Sequence, residues 1–190
     1  MKKINIIISS FLIAGMLLSA ACTKLDEEYY DQIPAEEYPE NADQVATLSV
    51  NAYKKLQNMA DDNGWWFLAQ SISGDGLCAP TRGADWFDGG KWVDVHTHRW
   101  TNDTESVNRM WSLFWEGITV CNQTIAQLDL IEPSPQILAK KGELEVLRSF
   151  FYYLLMDNYG DTPYLTGVVS GDALPEKVDR AIIYDSLINT

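Results

Sequence analysis

The sequence predicts a mainly α-helical fold in which helices pair through short turns and one long segment stays outside regular structure. Two observations lead to this prediction. Apolar residues recur at spacings of three and four along most of the chain beyond residue 41, which is typical of helices with one buried face. Between residues 63 and 101, glycine, aspartate and tryptophan crowd together without helical spacing, which favours loop structure.

Residues 1–21 have the features of a bacterial lipoprotein signal peptide. Lys2 and Lys3 precede an uncharged apolar run, residues 4–18, and small residues then lead to Cys22. The run is too short for a spanning helix, and the order is typical of a secretory signal. The position of Cys22 resembles a lipobox, in which the cysteine thiol is lipidated. The alternative is an ordinary secreted protein in which Cys22 is incidental.

Residues 22–40 are acidic and contain proline, so we interpret them as an extended tether with little to bury. An acidic run after a lipidated cysteine also resembles the export signal of surface-exposed lipoproteins. The charge of the whole chain excludes some partners. Its formal net charge is −13 and its pI is about 4.4, which argues against binding nucleic acid or anionic lipid surfaces.

Residues 41–190 are predicted to form one helical domain, whose first two helices are bounded by recognisable residues. One begins at the N-cap residue Asn41 and stops at Asn63–Gly64. The other begins near Asn102, with Glu105 in the capping-box position, and ends before Pro133. The apolar stripe of this second helix comprises Val107, Met110, Trp111, Phe114, Ile118, Cys121, Ile125 and Leu128.

Two further helices are predicted after Pro133. Ser134–Pro135 opens the third, and Gly160 suits its C-cap. Its Arg148 should meet Glu145, one turn away, or a backbone carbonyl, because an unpaired buried guanidinium is costly. The fourth begins near Asp179, and the chain stops inside it. Such helix pairs are similar to tetratricopeptide hairpins, although the segment between the first two helices is too long for a regular repeat.

The cysteines after Cys22 are Cys78 and Cys121. Cys121 lies on the apolar face of the second predicted helix and is most simply a small core residue. A disulfide between Cys78 and Cys121 would need their sulfur atoms to lie close together, which the sequence leaves open.

The most specific motif, residues 147–165, reads LRSFFYYLLMDNYGDTPYL. It resembles the pattern R-A-x-x-Y-x-x-L-x-x-x-Y-G-D-x-P-L, with Ser149 in place of alanine and Tyr164 in place of leucine. Together with CTKLDEEYYDQIP after the signal and GDGLCAPTRGADWFDGGKW in the loop, it resembles the N-terminal part of the SusD/RagB family of nutrient-uptake outer-membrane lipoproteins. The resemblance covers essentially the whole chain. Family members continue well beyond residue 190, so we expect a fragment or a truncated product.

This resemblance implies a protein that is not an enzyme and needs no cofactor. SusD-like proteins are mostly helical, with tetratricopeptide-like units, and are lipid-anchored outside the outer membrane. They form a lid on a SusC-like TonB-dependent transporter, capture oligosaccharides or, in some members, peptides, and pass them to the channel. The implied partners are therefore this transporter, a glycan or peptide ligand, and the outer membrane through the lipid anchor.

The stretch from Thr81 to Trp100 is the candidate ligand surface, because it contains three of the seven tryptophans beside glycines and carboxylates. Sugar rings stack their C–H faces on aromatic planes, while carboxylate and guanidinium groups bind hydroxyls. Trp86 is the best candidate for stacking. Each tryptophan could instead pack the loop onto the helices. The residues that we expect to bind ligand are Asp75, Arg82, Asp85, Trp86, Asp88 and Trp92.

Two other classes of function stay open. Asp75, Asp85 and Asp88 could supply a carboxylate pair for a glycoside hydrolase, but a glycine-rich loop would hold catalytic groups poorly. Stacked helix hairpins also serve as interaction scaffolds, so an adaptor without its own ligand is the second alternative.

A metal site is not predicted. His96 and His98 would share one face of a short strand pair that we expect around Lys91 to His98. Two histidines with an aspartate could begin a zinc site, but no third ligand follows at a supporting spacing.

Overall fold

The computed structural model describes residues 42–61, 65–169 and 174–189. The helices in these ranges are α1 Ala42–Leu48, α2 Val50–Ala60, α3 Trp65–Ile72, α4 Lys91–His96, α5 Glu105–Leu128, α6 Pro135–Tyr159 and α7 Arg180–Ile188. Two short strands, β1 Thr162–Pro163 and β2 Lys177–Val178, pair antiparallel. The mainly α prediction is therefore confirmed. None of these helices is both long enough and apolar enough to cross a membrane.

The predicted signal peptide, the tether and Cys22 lie outside the described residues. The division of the chain at residues 22 and 41 therefore stays a prediction.

Helices α5 and α6 form an antiparallel hairpin that supplies most of the core. The Tyr159 hydroxyl at the end of α6 donates to the carbonyl of Val107 near the start of α5 (2.6 Å), which fixes the direction of the pair. Burial raises the pKa of Tyr159 above its ordinary value. The hydrophobic side chains of this hairpin that are at most 3% exposed are Phe114, Ile118, Cys121, Leu128, Leu144, Phe151, Tyr152, Leu154 and Leu155.

Gly117 allows the two long helices to approach closely. A Cβ atom at Gly117 would lie 2.5 Å from Cζ of Phe151, well inside van der Waals contact. Trp111 and Trp115 lie on α5 and are half-buried, and the Trp111 ring meets that of Tyr159 edge-on at 5.0 Å. The apolar stripe predicted for the second helix therefore packs against the helix that carries Phe151.

The boundaries of α6 and α7 follow the predicted capping residues. Ser134 Oγ accepts from the Ile137 amide (3.3 Å), and Pro135 occupies the first helical position. Gly160 ends α6 with φ 76°, a left-handed value that glycine adopts without a steric cost. Asp179 caps α7 by accepting from the Ala181 amide (2.7 Å).

The second helix, predicted to start near Asn102, begins three residues later. Helix α5 begins at Glu105 and its N-cap is Thr104. The Thr104 hydroxyl accepts from the Thr101 amide (2.8 Å), so a tight turn precedes the helix and replaces the capping box.

The first predicted helix is divided into α1 and α2 at Ser49. The Ser49 hydroxyl donates to the carbonyl of Ala46 (3.2 Å) and accepts from Lys140 Nζ (3.1 Å). Serine side chains that bond to nearby backbone groups compete with helix geometry, which accounts for the break at this buried residue. Asn41, the predicted start, lies outside the described residues, and α2 ends at Ala60.

The prediction of irregular structure between residues 63 and 101 is wrong in two places. Helices α3 and α4 lie within this segment, and α4 occupies the position of the predicted strand pair. Ile72, Trp92 and Val95 are buried together in a second, smaller core. Helices this short are stabilised by tertiary packing rather than by intrinsic propensity, so their spacing alone did not reveal them.

The buried Arg148 of the family-like motif has partners of the expected kind. Its guanidinium donates to the Asn122 side-chain oxygen (2.8 Å) and to the carbonyl of Thr166 (2.9 Å). Of the two predicted kinds of partner, the backbone carbonyl is the one that Arg148 meets. The bond to Thr166 also fixes the loop that follows β1 against the hairpin.

Tyr152 holds the same loop. Its hydroxyl accepts from the Leu165 amide (2.7 Å) and donates to the Leu165 carbonyl (2.9 Å). Asn122 Nδ2 donates to the carbonyls of Leu165 (3.0 Å) and Gly167 (3.2 Å). Burial raises the pKa of the Tyr152 hydroxyl to about 12, although the bond with Leu165 acts in the opposite direction.

Both described cysteines are free thiols, so no disulfide joins Cys78 and Cys121. Cys121 is fully buried on α5, as its place on the apolar stripe predicted, and burial raises its pKa to about 11. Cys78 is exposed in the loop that follows α3.

Candidate ligand-binding site

The candidate site is built around residues 81–90, which precede α4 and which we call the aromatic loop. Trp86 lies here with φ 55° and 46% of its surface exposed. A left-handed backbone is unusual for a bulky residue and costs about 1 kcal/mol or more. The surrounding structure therefore holds the indole outward in a conformation that the residue itself disfavours, a feature that is common at functional sites.

A closed turn supports Trp86 from the amino-terminal side. The Arg82 amide donates to the Asp85 carbonyl (3.1 Å), and the Asp85 amide donates to the Arg82 carbonyl (3.2 Å). Gly83, with φ 64°, provides the left-handed residue inside this turn. The turn places both charged side chains next to the indole and satisfies its own main chain.

Trp92 supports Trp86 from the other side and is itself buried, with 4% exposure. Its Nε1 donates to Asp88 Oδ2 (2.8 Å), and its ring stacks on that of Trp65 at 5.6 Å between centroids. The Trp86 ring lies 6.4 Å from the Trp92 ring. One carboxylate oxygen of Asp88 therefore orients Trp92, and the buried Trp92 ring packs against the Trp86 ring.

Lys91 completes this aromatic cluster. Its Nζ lies 4.8 Å from the Trp65 ring centroid and 5.0 Å from that of Trp92, within the range of cation–π attraction. The same atom pairs with Glu105 Oε2 at 3.2 Å. The lysine thus ties the start of α4 to the start of α5 and brings a positive charge to the site.

The two histidines anchor the other end of this region. His96 Nδ1 donates to the carbonyl of Ile72 (3.1 Å), and His98 Nε2 donates to the carbonyl of Ser73 (2.7 Å). These carbonyls lie at the end of α3, where the C=O groups of a helix have no intrahelical N–H donors. The histidines therefore join α4 to α3 and do not share a strand face as predicted.

Trp86 lines two pockets. The one we call the polar pocket has a volume of about 360 Å³. It is lined by Trp65, Leu68, Asp85, Trp86, Asp88, Lys91 and Trp92. The one we call the apolar pocket has a volume of about 340 Å³. It is lined by Phe67, Leu68, Ser71, Ile72, Leu77, Cys78, Ala79, Pro80, Arg82, Asp85 and Trp86.

Five of the six predicted ligand residues come together at these pockets. They are Arg82, Asp85, Trp86, Asp88 and Trp92. Asp75 is exposed and lines neither pocket. Sequence reasoning missed Phe67, Leu77, Pro80 and Lys91. A helix over Trp65–Ile72 would have placed Phe67 beside the loop, and that helix was not recognised.

The arrangement suits binding rather than metal chemistry. Among residues 42–61, 65–169 and 174–189, no three His, Cys, Asp or Glu side chains lie together in a way that could hold a metal ion. The polar pocket presents an aromatic plane flanked by carboxylates, a set that matches the faces and hydroxyls of a sugar ring.

No protein-family model and no curated protein matches the sequence. Solved structures do match its fold. Surface glycan-binding protein A from Bacteroides uniformis gives a TM-score of 0.64 at 18% identity, over 78% of this chain and 33% of that protein. Surface glycan-binding protein A from Bacteroides fluxus gives 0.62 at 17% identity, over 80% of this chain and 32% of that protein. A SusD-like carbohydrate-binding protein from Bacteroides fragilis gives a TM-score of 0.46 at 16% identity, over 70% of this chain and 31% of that protein.

The two matches with TM-scores above 0.6 define the class of fold. The described residues have the helical SusD-like fold that the sequence resemblance implied, and the resemblance is confirmed at the level of fold. The chain spans about a third of the length of these solved structures. A shared fold does not assign a ligand, so the function has to be argued from the pockets beside Trp86.

Proposed function

We propose that this chain is a non-catalytic, SusD-like lipoprotein that binds oligosaccharides at the aromatic loop. The observation that carries the proposal is the Trp86 indole, held outward at a positive φ where it lines two pockets. The fold that presents it is shared with solved proteins whose names describe surface glycan binding. Glycan binding is therefore the function that the geometry supports best.

Each part of the site has a separate role in this proposal. The exposed face of Trp86 stacks on the C–H face of a sugar ring. Asp85, Asp88 and Arg82 bind hydroxyl groups, since charged groups make the stronger hydrogen bonds. Trp92 lies beneath Trp86 as a rigid floor. No group in this scheme transfers a proton or attacks a bond, so the ligand is bound and released unchanged.

The partners follow from the resemblance and belong to the same proposal. The thiol of Cys22 carries lipid and anchors the chain in the outer membrane, facing the cell exterior. The chain then captures its ligand outside the cell and passes it to a SusC-like TonB-dependent transporter. Peptides are the alternative ligand, because aromatic planes and carboxylates also bind peptide groups.

An adaptor is the second candidate function, and one observation favours it. Helices α6 and α7 expose large apolar and aromatic side chains. They are Leu138, Val146, Phe150, Tyr153, Ile182, Tyr184 and Ile188. An adaptor would bind no oligosaccharide, whereas a glycoside hydrolase would turn it over, and the proposed function predicts saturable binding without turnover.

The substitution Trp86→Ala tests the site. It should weaken oligosaccharide binding by roughly 1–3 kcal/mol, by analogy with base–aromatic stacking, and should barely change Tm because the side chain is half exposed. Calorimetry with a panel of neutral oligosaccharides, and with a peptide panel beside it, measures the first quantity. Phe87→Ala is the matched control, because Phe87 is the next residue, is 50% exposed and lines neither pocket.

One result would contradict the proposed site, and a second would contradict the proposed ligand. A large loss of stability in Trp86→Ala with unchanged affinity would make Trp86 a packing residue. Binding of peptides alone would replace the glycan by a peptide at the same site.

The substitution Cys22→Ser tests the anchor. It should move the protein from the membrane fraction into the soluble fraction, because a lipid chain is the proposed attachment. Neutralising Asp26, Glu27 and Glu28 should leave anchoring intact and reduce digestion by protease added outside the cell. Unchanged membrane fractionation of Cys22→Ser would rule out the lipid anchor.

A further inference from the structure

The apolar pocket is poorly suited to a second sugar ring. Its walls include the side chains of Leu68, Ile72, Ala79 and Pro80. At its mouth, Phe67 and Leu77 are 41% and 57% exposed. Apolar side chains concentrated around one pocket are the usual lining of a site for an apolar group.

The turn from Arg82 to Phe87 at the edge of this pocket offers few main-chain hydrogen bonds to a ligand. The amides and carbonyls of Arg82 and Asp85 bond to each other across the turn. The Phe87 amide donates to the Ala84 carbonyl (3.4 Å). The two charged side chains of this pocket, Arg82 and Asp85, are exposed. A sugar hydroxyl placed instead against the apolar walls would lose water without gaining enough partners, which is unfavourable. An apolar group loses no hydrogen bonds on entering.

The two pockets are adjacent, and Trp86 and Asp85 line both. A ligand that stacks one ring on Trp86 in the polar pocket therefore has the apolar pocket directly beside it. The aromatic side chains Phe67 and Trp86 border that pocket, and aromatic rings pack favourably on each other in offset or edge-on geometry.

We propose that the site selects neutral glycans that carry an aryl substituent, with the sugar in the polar pocket and the aryl group in the apolar pocket. This inference rests on the proposed function, since it names the substrate class of the same site. The polar pocket has two carboxylates, Asp85 and Asp88, and one cation, Lys91, which is already paired with Glu105. The excess of negative charge disfavours acidic sugars by like-charge repulsion. The apolar pocket contributes affinity only when an aryl group is present.

The experiment compares matched glycosides on the full chain. The probes are 4-nitrophenyl and methyl glycosides of glucose, galactose, mannose and xylose in both anomeric forms, measured by calorimetry. For at least one sugar, the aryl glycoside should bind about tenfold more tightly than the methyl glycoside, the size expected for burying part of one ring. Free 4-nitrophenol should bind more weakly than the aryl glycoside.

Cys78 reports on occupancy of the apolar pocket, because its thiol lines that pocket and is exposed. Its alkylation by iodoacetamide, followed by mass spectrometry of the peptide that contains it, should slow when the aryl glycoside is bound. The methyl glycoside should leave the rate unchanged, since it occupies the polar pocket only.

Two variants assign the preference to the pocket. Phe67→Ala should remove most of the advantage of the aryl glycoside and leave the affinity for the methyl glycoside unchanged. Phe150→Ala is the matched control, because Phe150 is also helical and 39% exposed but lies on α6 away from both pockets. Trp86→Ala should weaken both glycosides.

Each remaining outcome overturns the inference. Equal affinity for aryl and methyl glycosides would remove the aryl preference and leave the proposed function standing. A tighter aryl glycoside that does not protect Cys78, or that is unaffected by Phe67→Ala, would place the aryl group elsewhere. Binding of underivatised oligosaccharides without binding of any aryl glycoside would also refute it. If no saccharide binds at all, the proposed function is overturned as well.

Discussion

The α5–α6 hairpin and the aromatic loop both depend on large aromatic side chains, but they hold them in opposite ways. In the hairpin, Phe114, Phe151 and Tyr152 are fully buried, and regular helical backbone places them against each other. In the loop, Trp86 stays half exposed on a backbone with positive φ. The hairpin aromatics stabilise the fold, whereas the loop holds an unfavourable backbone conformation that keeps the Trp86 indole accessible.

This difference indicates that stability and binding are separable in this chain. The loop packs on a small core of its own, formed by Ile72, Trp92 and Val95. We therefore expect changes in the hairpin to lower the free energy of unfolding without changing affinity. Trp86→Ala should instead lower the affinity for ligand and leave the free energy of unfolding nearly unchanged.

The largest effect is expected for Phe151→Ala. Emptying a fully buried aromatic site costs about 3–5 kcal/mol, and urea unfolding measures the loss. The fraction that stays folded should bind oligosaccharide as the parent protein does. A matching loss of affinity in that fraction would show that hairpin and site are coupled, and the comparison would fail.

Tyr152→Phe should change how stability depends on pH. The unfolded tyrosine ionises near pH 10, and the folded residue keeps its proton until about pH 12. The unfolded state therefore binds fewer protons in this window, and stability falls between pH 10 and 12, by roughly 2–3 kcal/mol for this group. The variant should lack that part of the alkaline loss, while losing about 1–3 kcal/mol at neutral pH through the missing bonds to Leu165.

Unfolding free energies measured from pH 7 to pH 12 check this prediction. Tyr184→Phe on the exposed side of α7 is the control and should keep the alkaline loss of the parent protein. An identical pH dependence in Tyr152→Phe and the parent would show that Tyr152 does not contribute.

Gly117→Ala and Gly142→Ala should have opposite signs. At Gly117 the new Cβ meets the Phe151 ring at 2.5 Å, so we expect a loss of about 1–3 kcal/mol from overpacking. At Gly142, also inside a long helix, nothing lies within 4 Å of the new atom. Alanine should therefore stabilise the protein there by about 0.5–1 kcal/mol. Thermal unfolding of the two variants decides between close helix packing and helix propensity as the role of Gly117.

The smallest effect compares two substitutions at one position. Trp86→Gly and Trp86→Ala should lose ligand binding equally, but the glycine variant should be more stable by about 1 kcal/mol, because only glycine adopts φ 55° without a steric cost. Equal stability of the two variants would show that the loop relaxes once the indole is removed.

The hairpin could be predicted from the sequence because its signals are local. Ser134 with Pro135 marks the start of α6, Gly160 marks its end, and the apolar stripes of both helices have the 3.6-residue period. The start of α5 was misplaced because Thr104 lies within the same turn as Asn102, and both residue types can cap a helix.

The site could be predicted in composition but not in geometry. Trp86 and Trp92 have similar neighbours, aspartate and glycine, yet one is half exposed and the other is buried. What separates them is the left-handed backbone at Trp86 and the bond from Trp92 to Asp88. Neither leaves a periodic trace in the sequence. Asp75 was included for its residue type alone, and nothing local placed it away from the pockets.

The hydrogen bonds that hold the loop after β1 determine which substitutions this loop tolerates. Asn122, Arg148 and Tyr152 hold residues 165–167 entirely through peptide N–H and C=O groups. Every residue type offers these groups except proline, which has no N–H. A substitution of Asn122, Arg148 or Tyr152 therefore removes bonds to this loop, while positions 165–167 can exchange one residue for another, with proline at 165 as the unfavourable choice. The bonds depend on the path of the main chain and not on its side chains, so residues 165–167 can change without changes in the core.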